Sequence, residues 1–159
     1  MMSAQNSREA QKEQVRKKAY DYAREYHGCS QAIMLAFQEP LGMDAMALRA
    51  ASTLVGGLGM GKTCGALSGG AMVLGLKYGR SSMEEGVPGL VPGMLHTQPL
   101  VKRFADEFGT TDCFEIAGID WLNFEEAAKA ISDLEFLQKC AEIVGRTAEM
   151  VADIVFEQD

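Results

Sequence analysis

Four residues of this chain have side chains suited to nucleophilic or ligand chemistry without further help: Cys29, Cys64, Cys113 and Cys140. Cysteine is more often kept for its reactivity than for packing, although a free thiol also serves as a small buried hydrophobe. As thiolates, such residues attack disulfides or bind soft metals. No two of the four form a Cys-x-x-Cys pair, so whatever they do must be assembled by the fold. Cys64 opens the run Cys64-Gly65-Ala66-Leu67-Ser68-Gly69, which leads directly into an apolar segment.

A competing pattern stands just before it. Gly56-Gly57-Leu58-Gly59-Met60-Gly61-Lys62-Thr63 satisfies G-x-x-x-x-G-K-[ST], the phosphate-cradling loop. That loop needs a buried parallel strand in front of it, yet residues 45–55 are alanine-rich and helical in pattern. Nucleotide binding is therefore the weakest of the readings. Lys62 keeps a second role, as a cation able to stabilise a thiolate at Cys64. His27, two residues before Cys29, and His96 read as surface or capping residues. No Cys-x-x-Cys-His occurs, which excludes covalent haem attachment.

The elements that must position these residues are helical nearly throughout. Helices are expected from Ser7 to about Tyr26, from Cys29 to before Pro40, and after Asp44 to about Val55. Others should start at Thr63 or Cys64, span about Pro99 to Phe108, follow Asn123, and run from about Leu137 to Ile154. The Pro- and Gly-rich stretch 79–97 reads as one long loop. No segment shows strand periodicity. The expected fold is all-α, a compact multi-helix bundle of about six to seven helices, with residues 1–6 as a flexible N-terminus and 7–159 as one domain. On this map Cys29, Cys64 and Cys113 begin helices and Cys140 lies in the opening turns of the last one. Unpaired N–H groups there favour a thiolate. Gly65, Gly69, Gly70 and Gly75 would let another helix, or a second subunit, approach closely.

Composition bounds the function. A chain of 159 residues with 47% hydrophobic residues can bury its own core. A net charge of −7 disfavours nucleic acid. No secretory leader and no apolar run of membrane-spanning length is visible, so a cytoplasmic protein is expected, where cysteine groups more often serve redox or metal work than lasting disulfides.

Cys29-Ser30-Gln31-Ala32, then Cys64-Gly65-Ala66-Leu67-Ser68-Gly69, then Cys113 and Cys140, in that order, closely resemble the C_GCAxxG_C_C family of redox-active proteins. The resemblance covers about Tyr22 to the C-terminus. It implies an all-helical domain with a redox role for the four cysteines. A similar domain in split-Soret-type cytochromes makes electron transfer and an iron–sulfur cluster reasonable, without haem here. The first expectation is a thiol-based redox protein, with Cys64 most activated, Cys29 as its exchange partner, and Cys113 and Cys140 either a second pair or the completion of a four-thiolate site. The alternative is a metal module in which Cys29, Cys64, Cys113 and Cys140 hold a [2Fe–2S] cluster or Zn²⁺. A redox partner protein or small thiol, and a homodimer through the glycine-lined helix, are expected as partners.

Overall fold

The structure is a computed structural model and describes residues 3–156. Nine α-helices occur among them: α1 (Ala4–Tyr26), α2 (Cys29–Ala36), α3 (Gln38–Leu41), α4 (Ala45–Ala50), α5 (Gly65–Tyr78), α6 (Gly86–Phe108), α7 (Cys113–Ala117), α8 (Phe124–Ala130) and α9 (Leu134–Phe156). The all-α expectation is met, since no strand occurs among the described residues. The expected six to seven helices fall short because α3 and α7 are single turns that periodicity does not register. The expected flexible stretch 1–6 lies partly outside the described residues. From Ala4 onward it is helix, because the Ser3 hydroxyl accepts the Asn6 N–H at 3.2 Å and caps α1.

Two of the three 23-residue helices frame the molecule. α1 and α9 run antiparallel: Lys12 meets Asp153 at 3.1 Å, Arg16 meets Glu149 at 3.6 Å, and Gly145 faces Tyr20. Their seam is built of small residues, Ala19, Ala23, Ala141 and Ala148, which bring the backbones close. Asp153 also receives Arg103 of α6 at 2.8 Å, so one carboxylate ties three helices and compensates the buried Lys12.

α2 packs against both α1 and α9, and α5 packs against α2, α6 and α9. Ile33, Met34, Phe37, Leu74, Leu100, Phe104, Val144 and Val151 are all 0% exposed and make up the core. Each large apolar side chain there contributes roughly 1.5–3 kcal/mol by leaving water. The glycines of α5 face this packing. A Cβ on Gly69 would lie 2.7 Å from the Ser30 backbone, and one on Gly70 would lie 2.9 Å from Val151. The close approach expected of this stripe thus occurs inside the chain, with α2, α6 and α9.

The Pro/Gly stretch differs most from expectation. Residues 86–97 are not a loop but the first half of α6. Pro88 falls in the first turn, where a missing N–H has no intrahelical partner to lose. Pro92 and Pro99 lie within the helix, which Leu100 and Phe104 anchor in the core. Gly93 packs against Gly79, so part of the glycine content serves close packing with the end of α5. No helix among the described residues is long and apolar enough to cross a membrane.

Candidate functional site

The four cysteines come from four separate elements and line one cavity of about 120 Å³. Apart from the sulfurs its wall is almost wholly apolar, formed by side chains such as Val55, Ile116, Ile131, Phe136 and Val144. All four are free thiols in this structure.

Each is placed by a local device. Cys29 is the first residue of α2, preceded by Gly28 in the left-handed region. The Ser30 hydroxyl, buried, donates to the Ala51 carbonyl at 2.7 Å and holds this helix start against the following turn. The Cys29 sulfur lies so close to Gly65 that a Cβ there would come within 2.2 Å of it. Cys64 and Cys113 are positioned together. The Cys64 N–H donates to the Thr111 carbonyl at 2.8 Å and the Cys113 N–H donates to the Lys62 carbonyl at 2.6 Å, an antiparallel bridge centred on Thr63 and Asp112. Asp112 then caps α7, its side chain accepting the Glu115 N–H. Cys140 projects from α9, which begins at Leu134 rather than near Leu137, so this residue is past the first turn.

The glycine-rich segment in front of Cys64 belongs to the same construction. Gly57, at φ +61°, would carry a Cβ 2.5 Å from the Lys62 nitrogen and 2.8 Å from the Cys113 Cβ. A side chain there would force the bridge apart. The sheet a phosphate loop requires is missing among the described residues, and Gly56, Gly57 and Gly61 of this segment pack against Trp121, Cys113 and Phe114. Lys62 contributes through its carbonyl. Its side chain is exposed and does not line the cavity. His27 lines the cavity rim, whereas His96 stacks on Tyr78 at 3.6 Å and lies outside the cavity wall.

In this structure burial opposes the thiolates that helix starts favour. Burial pushes the Cys64 thiol up to about 12, aided by Cys29, and outweighs the Ala66 and Leu67 N–H groups that favour its thiolate. No side-chain hydrogen bond closes that cap. Burial likewise raises Cys29, although the N–H groups of Gly56, Ser30 and Gly65 oppose it. It raises Cys113 against the Trp121 N–H, and pushes Cys140 up to about 12 with Cys29 and Cys113 adding to the effect. The helix-start field is real but local, and desolvation wins.

Two outcomes follow for the metal-free protein. At neutral pH the folded thiols are expected to react with iodoacetamide far more slowly than in denaturant, and equal rates would contradict their burial. Stability should be fully present below about pH 9 and decline as pH rises towards about 12, because unfolded thiols ionise near 9.0 while folded Cys64 and Cys140 still hold their protons. A denaturation midpoint unchanged across that window would contradict it.

Trp121, Phe136 and Val55 also shape the site, and cysteine spacing did not point to them. The only available signal was that Trp121 is the sole tryptophan. Among the described residues, no three His, Cys, Asp or Glu side chains are spaced to hold a single metal ion. A model of the family described as "Putative redox-active protein (C_GCAxxG_C_C)" matches residues 26–154. No curated protein and no solved structure matches the chain.

Proposed function

The chain belongs to the C_GCAxxG_C_C family, and from that premise we propose that it is an electron-transfer protein whose Cys29, Cys64, Cys113 and Cys140 together hold a [2Fe–2S] cluster. The observation that carries this reading is that all four cysteines line one apolar cavity of about 120 Å³. Apolar cavities of roughly 150 Å³ accept benzene, a guest with more heavy atoms than the iron–sulfide unit. Four soft sulfur donors suit iron–sulfur ligation. Zn²⁺ fits less well, since no three of these side chains are spaced around one ion, whereas a cluster's ligands divide between two metal atoms. A cluster held there supplies a one-electron couple whose potential responds to charge, hydrogen bonds to sulfur and burial.

The chain's own residues prepare the site in three ways. The apolar wall limits water. The N–H groups of Gly56, Ser30 and Gly65 favour negative charge at Cys29, and those of Ala66 and Leu67 favour it at Cys64. The backbone bridge between 62–64 and 111–113 fixes two sulfurs relative to each other. Dithiol exchange needs a free thiolate, which burial disfavours, whereas a bound metal ion itself supplies the positive charge that draws the proton off a ligating thiol. A reducing compartment such as the cytoplasm would keep all four thiols available for iron, with a one-electron donor protein as the partner.

The test is anaerobic purification, or reconstitution of the full chain with ferrous iron and sulfide. Visible absorption with equimolar iron and sulfide is expected. Colourless protein that takes up no iron and keeps four titratable thiols would overturn the reading.

A further inference from the structure

We propose that Trp121 is the dedicated hydrogen-bond donor of the four-cysteine site, its indole Nε1–H held for the Cys113 sulfur when that sulfur carries negative charge. The inference deepens the cluster reading and rests on it for one of its two tests.

Trp121 is the sole tryptophan of the chain and lines the cavity. Its Nε1 is buried and has no hydrogen-bond partner, the one such side-chain nitrogen or oxygen among the described residues. Buried donors are rarely left unpaired, and one at a site calls for an acceptor that arrives with function. The nearby acceptor is Cys113, whose thiolate form the indole N–H favours. A neutral thiol is a weak acceptor, whereas a thiolate or metal-bound sulfur is a strong one.

The surroundings hold the ring in place. A Cβ on Gly56 would lie 3.3 Å from indole Cδ2 and Cε2, so the ring rests closely on that glycine, itself at φ +66°. Phe136 meets the indole edge-on at 6.2 Å. The turn carrying the tryptophan is closed on both sides: the Asp120 N–H donates to Glu126 at 2.8 Å, and the Leu122 N–H donates to the Asp120 carboxylate at 3.0 Å. These contacts position the ring and leave the N–H available.

Two measurements test this. In ¹⁵N-labelled metal-free protein, Trp121 gives the single indole N–H signal. Cys113→Ser, which replaces the weak thiol acceptor by a hydroxyl, is expected to move that signal downfield, whereas Cys140→Ser leaves it in place. No movement, or equal movement with both variants, would overturn the proposal. In reconstituted protein, Trp121→Phe keeps the aromatic packing and removes only the donor. In the clusters that form, reduction should become about tenfold less favourable, a shift of about 59 mV to more negative potential for one electron. An unchanged potential would overturn the proposal. Failure of the wild-type chain to take up iron would sink the cluster reading alone, because the indole measurement decides this proposal without metal.

Discussion

Gly65→Ala is expected to damage both stability and the site, whereas Gly75→Ala on the same helix should be harmless or better. A Cβ on Gly65 would lie 2.2 Å from the Cys29 sulfur and 3.0 Å from the Leu54 carbonyl oxygen. Neither neighbour can move cheaply. Cys29 begins α2, whose next residue is anchored by the buried Ser30–Ala51 hydrogen bond, and Leu54 belongs to the short 3₁₀ turn that packs there. Overpacking of this kind costs about 1–3 kcal/mol, and the backbone neighbours place it toward the upper end. Nothing lies within 4 Å of a Cβ on Gly75. Alanine there should recover up to about 1 kcal/mol of helix propensity. Urea denaturation followed by circular dichroism reads both. Two variants displaced in the same direction would show that the contact at Cys29 is not what separates them.

Single replacement of Cys29, Cys64, Cys113 or Cys140 by serine should lower iron bound per reconstituted chain at least tenfold. Each sulfur comes from a different element, and no fifth cysteine exists to substitute for a lost one. The loss should come without unfolding, because serine is smaller than cysteine and the helices are held mainly by the core around Phe37, Phe104 and Val144. Iron analysis alongside far-UV circular dichroism separates the two effects. If two of the four variants keep full iron and colour, the site is not built from four cysteines.

How much of this was legible from residues alone follows from the range of each interaction. The frame of α1 and α9 could be read, because long amphipathic periodicity survives whatever packs against it. The caps at Asp44, Asp112 and Asn123 could be read for the same reason, since each acts on an N–H within three residues. The first half of α6 was hidden because Pro88, Pro92 and their neighbouring glycines oppose helix locally, while its second half, with Leu100 and Phe104 in the core, could be read. The cysteines could be named by their chemistry, but the effect of burial on them could not be read. Helix-end fields can be inferred from position, whereas desolvation by Val55, Ile143 and Phe136 depends on chain segments far apart in sequence. Trp121 escaped notice because its role rests on contacts with Gly56 and Cys113, neither adjacent to it.

The antiparallel bridge between 62–64 and 111–113 has a consequence for the order of biosynthesis. Two sulfurs are set only when segments separated by much of the chain have met, and the last sulfur waits for α9. Contacts of such long sequence separation form late, after the loop-closure entropy of the intervening chain has been overcome. A chain in which α9 has not yet been made therefore presents three separate thiols rather than a closed four-cysteine cavity. The four-cysteine cavity, on this geometry, is complete only in chains in which α9 has closed on the rest of the described fold.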